Sequence, residues 1–208
     1  MSQKGYPHEE MLNALSHGVG VVLAIIGTFD LLGANTHKTP YATGSLVIYS
    51  LALIILFLAS TLYHMAKKTE VKQKLRILDH ISIYILIAGT YTPLTLITLL
   101  PSSGWTIFYI VWSIAGVGTI LKLFFTGRFE YLSLLFYVIM GWLIVLDFDN
   151  VRANVSPLGL QLLMLGGGCY TLGIVFYAIR KIPYNHLIWH FFVLGGAIAH
   201  FFFIKTLI

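Results

Sequence analysis

Apolar residues run along this chain in long blocks broken only by isolated polar side chains, and the charges gather in the short stretches between them. A helix that crosses a hydrocarbon core of about 30 Å needs roughly 20 residues. Blocks near that length fall at residues 14–33, 45–65, 77–100, 105–125, 131–146, 158–179 and 187–208, so the pattern predicts an all-α polytopic bundle of seven transmembrane helices. The fifth block is short and borrows from Phe129 or Phe148. The connections at 35–40, 101–104, 149–157 and 182–185 are too brief for a soluble module, so residues 1–208 read as a single seven-helix domain. An odd number of spans excludes two equal halves, and no internal repeat of the transporter kind is visible.

Composition agrees with the pattern. At 208 residues, 58% hydrophobic and 10% charged, the chain has too few polar side chains to cover a soluble globule. Its net charge of +5 does not point to nucleic acid, because the basic residues sit in the connections and encode topology. With a cytoplasmic N-terminus, ten of the thirteen Lys and Arg fall inside: Lys4, Lys67, Lys68, Lys72, Lys74, Arg76, Lys122, Arg128, Arg180 and Lys181. Only Lys38, Arg152 and Lys205 fall outside, which also places the C-terminus outside. The basic run at 67–76 reads as a solvated topology anchor, with anionic lipid head groups as a lesser alternative. Glu9 and Glu10 stand where a cleavable signal would carry positive charge, so the first span is expected to persist. Cys169 is the sole cysteine, which excludes an intrachain disulfide. Pro93 frees a carbonyl within the third span and predicts a kink, with Thr90 or Thr92 to satisfy it.

On this topology His64 closes the second span, Asp79 opens the third, and His186 and His190 open the seventh, all at one depth. His186 and His190 are four apart and share a helix face, which suits two ligands of one ion, and His64 supplies a third from another helix. Three protein ligands leave a fourth position open, as catalytic zinc uses. Asp79 is preferred to His80 as the accompanying carboxylate because adjacent helical residues point about 100° apart. Ser60, one turn deeper on the His64 face, is placed to bond a water, a carboxylate or a substrate carbonyl. An H-x-x-x-H pair alone is a weak pattern; matched depth among costly intramembrane ionisable groups carries the inference. His17 has suitable depth and is the reserve ligand. His200 lies ten residues beyond His190, about 15 Å along a helix, and is assigned to packing or hydrogen bonding. Asp30 reads as an interfacial carboxylate, and Asp147 and Asp149 as outer-connection residues rather than an acid and base pair.

Several strings resemble the hemolysin III family of bacterial membrane proteins: Asn13-Ala14-Leu15-Ser16-His17-Gly18-Val19-Gly20 after Glu9-Glu10, Ser60-Thr61-Leu62-Tyr63-His64, Leu78-Asp79-His80, Ala88-Gly89-Thr90-Tyr91-Thr92-Pro93, and Pro183-Tyr184-Asn185-His186-Leu187-Ile188-Trp189-His190. That family belongs with the progestin and adipoQ receptors and more distantly resembles the alkaline ceramidases. The resemblance implies a seven-helix bundle with a zinc ion near the cytoplasmic side, held by His64, His186 and His190, with Asp79 as the carboxylate that holds or activates its water and Ser60 as the family's serine. The adiponectin receptors carry long N-terminal extensions, whereas this sequence begins about a dozen residues before its first span; hormone binding is therefore not expected, and the bacterial plasma (inner) membrane is.

Three functions follow as expectations. The first is a zinc-dependent hydrolase acting on a membrane lipid amide or ester, with Asp79 taking a proton from water and Ser60 steadying the oxyanion. The second, implied by the family name, is a membrane-damaging hemolysin, although no secretion signal or stripe of channel-lining charges supports it. The third is a receptor or regulator of membrane lipid state with structural zinc.

Overall fold

A computed structural model describes residues 8–126, 130–179 and 181–208. Lys4, Arg128 and Arg180 of the charge argument, and Phe129, lie outside the described residues. Among the described residues eight α-helices follow in order: α1 (Glu9–Ala34), α2 (Ala42–Met65), α3 (Thr69–Pro93), α4 (Gly104–Phe125), α5 (Glu130–Trp142), α6 (Phe148–Asn154), α7 (Pro157–Ala178) and α8 (Asn185–Lys205). A π segment (Leu94–Thr98) extends α3, and a 3-10 segment (Leu143–Asp147) joins α5 to α6. Seven helical stretches among the described residues are long and apolar enough to cross a membrane; α5, the 3-10 segment and α6 together form the fifth, and α7 and α8 are the sixth and seventh. Large apolar side chains such as Phe29 (73% exposed) and Phe124 (75%) face outward, as lipid contact requires and water would penalise.

The helices alternate in direction around a ring. α1 packs between α2 and α8, α2 also against α3, and α3 against α4 and α5, while α7 packs on α8 and touches α5 more sparsely. The third span is the most buried and the sixth the least. One end of the bundle gathers Glu10, His64, Lys72 and His186. At the other, Lys205 pairs with Asp30 at 2.7 and 2.9 Å, which gives the interfacial carboxylate a definite partner. Lys38 Nζ donates there to the Leu207 carbonyl at 2.9 Å.

Helix ends depart from the expected boundaries for local reasons. α3 begins at Thr69, so Lys72, Lys74 and Arg76 lie on its first turns rather than in a connection. The fifth span borrows from Phe148, and residues 149–154, expected in a loop, continue it as α6. Its break at Trp142 is filled by Tyr91, whose hydroxyl donates to the Gly141 carbonyl at 3.1 Å and accepts from the Ile144 amide at 3.0 Å. One side chain thus serves two backbone groups that leave the regular helical ladder. At Pro93 the α-helix passes into the π segment, while Thr90 and Thr92 donate to Leu86 and Ala88 carbonyls at 2.8 and 2.9 Å. Neither hydroxyl therefore meets the Gly89 carbonyl that the proline frees. Ser103 and Asn150 both donate to Asp147, a bracing contact rather than an acid and base pair. Ser156 accepts from the Gly159 amide at 3.1 Å and, with Pro157 behind it, starts α7.

Gly104 begins α4 where backbone presses on backbone: a Cβ there would lie 2.7 Å from the Leu99 carbonyl oxygen. Gly104→Ala should therefore lower stability by about 1–3 kcal/mol through overpacking. Gly44→Ala, with open space around its Cβ position, should leave the thermal unfolding midpoint in detergent unchanged or raised, and the comparison of the two midpoints checks this.

Candidate metal centre

His64 occupies the last turn of α2, and His186 and His190 lie on the first two turns of α8. The approach to α8 is set by Tyr184, whose φ of 54° and ψ of 28° turn the chain sharply. Asn185 then donates to the Phe176 and Tyr177 carbonyls, both at 3.3 Å, tying the end of α7 to the start of α8. The result brings three imidazoles together: one nitrogen from each of His64, His186 and His190 lies within 4.8 Å of the other two. His64 Nε2 and His186 Nε2 are 3.2 Å apart. His190 and His64 are buried, at 1% and 6% exposure.

The outer nitrogens bear on whether this group fits a metal ion. His64 Nδ1 lies 3.1 Å from Glu10 Oε2, and His190 Nδ1 lies 3.2 Å from the Asn13 carbonyl oxygen. A carboxylate and a carbonyl accept and do not donate, so both contacts place the proton on Nδ1. That leaves Nε2 with its lone pair, the form a metal ligand must take. Ser16 Oγ donates to the Asn13 carbonyl at 2.8 Å and stands 3.1 Å from His190 Nδ1, whose N–H it accepts. The donor set therefore suits a metal ion, and the His64, His186 and His190 group could hold one.

Asp79, expected to open the third span, lies outside that close group and about three turns into α3, which begins earlier, at Thr69; its carboxylate is hydrogen-bonded to Ser60. A carboxylate is among the partners expected of Ser60, and this contact supplies it. Ser60, Asp79 and His80 all line a cavity that also reaches His186 and His190, while the His80 carbonyl accepts from the Tyr137 hydroxyl at 3.0 Å. His17, the reserve ligand, stands beside the group: its ring stacks on His190 with centroids 3.7 Å apart and planes 10° apart. It meets Phe57 edge-on at 5.1 Å. His200 is remote from the cluster and bonds α8 to α7, its Nε2 donating to the Leu163 carbonyl at 3.2 Å.

From the histidine end the cavity runs between α3, α5, α7 and α8 to Phe148 and Phe203. Its wall is mostly aliphatic and aromatic, with Ile83, Leu134, Val138, Ile174 and Val193 among the lining residues. Gly141, Trp142, Val145 and Met164 line it and are themselves exposed. Across this side, Trp142 Nε1 donates to Thr171 Oγ1 at 3.1 Å, one bridge between α5 and α7.

On the sequence pattern α1 brings only His17 to this end of the bundle. Glu10 counts there against a cleavable signal and, with Asn13 and Ser16, toward the family resemblance, and none of the three is marked as a contact to the site. A signal did exist: Glu10, Asn13 and His17 recur at spacings of three and four, a polar stripe on one face at the start of an apolar helix.

Similarity to known proteins agrees with this architecture. Residues 6–201 match the family model described as Haemolysin-III related. The chain is 44% identical to Hemolysin-3 of Bacillus cereus over 195 residues, 93% of this chain and 89% of that protein. It is 43% identical to the Hemolysin-3 homolog of Bacillus subtilis over 195 residues, 93% and 92% of the two chains. A more distant relative is the human Monocyte to macrophage differentiation factor, 31% identical over 204 residues that cover 94% of this chain and 82% of that one. With seven apolar helices and a match along nearly its whole length, this chain is an integral membrane protein belonging to the haemolysin III-related family.

Proposed function

We propose that this protein is a zinc-dependent hydrolase of a membrane lipid amide or ester, acting in the bacterial plasma (inner) membrane with its site near the cytoplasmic face. The observation that carries this reading is the continuity of three parts: the His64, His186 and His190 group, the Ser60-supported Asp79, and an apolar cavity leading away from both. The orientation rests on charge. Lys67, Lys68, Lys72, Lys74, Arg76, Lys122 and Lys181 belong to the histidine end, and Lys38, Arg152 and Lys205 to the other, so the positive-inside rule puts the histidines toward the cytoplasm.

The three imidazoles would hold the ion, zinc being the metal that three histidines and an open position suit. When bound, zinc supplies Lewis acidity to a carbonyl and lowers the pKa of water to about 7. Asp79 takes the proton of the attacking water and returns it to the departing amine or alkoxide. Ser60, whose hydroxyl meets the Asp79 carboxylate, orients that carboxylate and stands ready to steady the developing oxyanion. The cavity wall receives the acyl chain, entering sideways between α5 and α7. Because the chain comes from a bilayer as apolar as the wall, its transfer brings little hydrophobic gain. Selection among lipids therefore falls to cavity length and to the polar groups at the histidine end.

The test is turnover. Purified, zinc-loaded protein incubated with a bacterial lipid extract should release a fatty acid detectable by mass spectrometry, and chelation should stop the release. Loaded protein that leaves every amide and ester lipid intact would contradict the reading. Lysis by the Bacillus relatives' namesake activity would on this view be a secondary consequence of altered lipids. Dye-filled vesicles of a lipid the protein does not cleave should accordingly stay sealed when it is added.

A further inference from the structure

Glu10 does more than meet His64. The same carboxylate oxygen that lies 3.1 Å from His64 Nδ1 accepts from Lys72 Nζ at 2.7 Å. Lys72 Nζ in turn sits 5.1 Å from the centroid of the Tyr63 ring, one residue before His64. The ammonium favours the ionised carboxylate, and the ionised carboxylate fixes the proton of His64 on its outer nitrogen. The His190 ring is held independently from the same helix by the Asn13 carbonyl and Ser16. α1 thus touches two of the three clustered histidines without adding a nitrogen to their group.

We propose that Glu10, held by Lys72, is a positioning residue for the metal centre, and that the start of α1 works as a collar that fixes the ring orientation and tautomer of His64 and His190. This rests on the reading of the three histidines as metal ligands. Outer partners of metal-bound histidines typically account for 10- to 100-fold in metal affinity, whereas an exposed ion pair that only ties helices together would leave that affinity unchanged.

The test uses the full chain in detergent, with Co²⁺ and Zn²⁺ as probes. Affinities are read by chelator competition and the Co²⁺ centre by its visible absorption, for the unsubstituted protein and for Glu10→Ala, Glu10→Gln, Lys72→Ala, Leu15→Ala and His186→Ala. Glu10→Ala should bind either metal about 10- to 100-fold more weakly with altered cobalt bands. Glu10→Gln, whose amide oxygen still accepts from Nδ1, should recover part of the affinity. Lys72→Ala should show a smaller loss, and Leu15→Ala, a lipid-facing control, none. Unchanged affinity and spectrum in Glu10→Ala, alongside metal binding that His186→Ala abolishes, would overturn the positioning role alone. Thermal midpoints separate misfolding from a local effect: if Glu10→Ala loses metal only because it unfolds, a folded Glu10→Gln with full affinity and unaltered bands overturns the proposal, and one with weakened binding supports it. An unsubstituted protein that binds neither metal would overturn the metal reading, and the collar with it.

Discussion

Replacing His64, His186 or His190 by alanine should each strip the protein from about one zinc per chain to nearly none, since a site of two imidazoles lacks the three protein ligands that catalytic zinc uses. The three side chains come from two helices and already present nitrogens within 4.8 Å of one another, so removing any one opens the group rather than trimming its edge. His200→Ala should keep its zinc, because that ring is engaged with the Leu163 carbonyl on α7. His17→Ala is the more searching control. Its ring lies against His190 at 3.7 Å, so its loss should loosen His190 and lower affinity without abolishing binding. Elemental analysis of protein purified without added chelator checks all five variants.

Asp79→Asn should have the opposite profile: metal retained, turnover lost by about 10²- to 10⁴-fold, the range typical of general-base catalysis. The substitution preserves shape and keeps an oxygen to accept from Ser60, but it removes the charge and the ability to take a proton. Asp79 stands outside the close group of three histidines, so the proposed role as a base separates from metal retention. Ser60→Ala should fall between, with metal retained and a smaller loss of kcat, because the carboxylate loses its orienting bond but is still present to take a proton. Metal analysis and lipid turnover measured on one preparation distinguish these outcomes; loss of zinc together with activity in Asp79→Asn would make the carboxylate part of the metal's support.

Much of this architecture was legible because membrane physics leaves few choices. Backbone groups in hydrocarbon must be bonded internally, so a block such as residues 45–65 becomes a helix, and ionisable groups at matched depth on different spans are brought to one end. What was less legible depends on contacts between segments distant in sequence. The break after Trp142 carries no proline; it is recognisable only once Tyr91, fifty residues earlier, offers its hydroxyl to Gly141 and Ile144. From sequence Lys72 reads as a solvated anchor, whereas α3 begins at Thr69 and carries it to Glu10. The cavity was equally hidden, because lining residues such as Ile83 and Val193 have the same composition as any packed or lipid-facing position. Only their arrangement leaves a space.

A catalytic site and a structural one would share these histidines and differ in what completes the metal's shell. X-ray absorption at the zinc edge of the purified protein measures that directly. The proposed centre predicts three imidazole nitrogens at about 2.0–2.1 Å and an oxygen in the remaining position. A shell of four imidazoles, with His17 recruited from beside His190, would be a closed structural site and would contradict the proposed hydrolase.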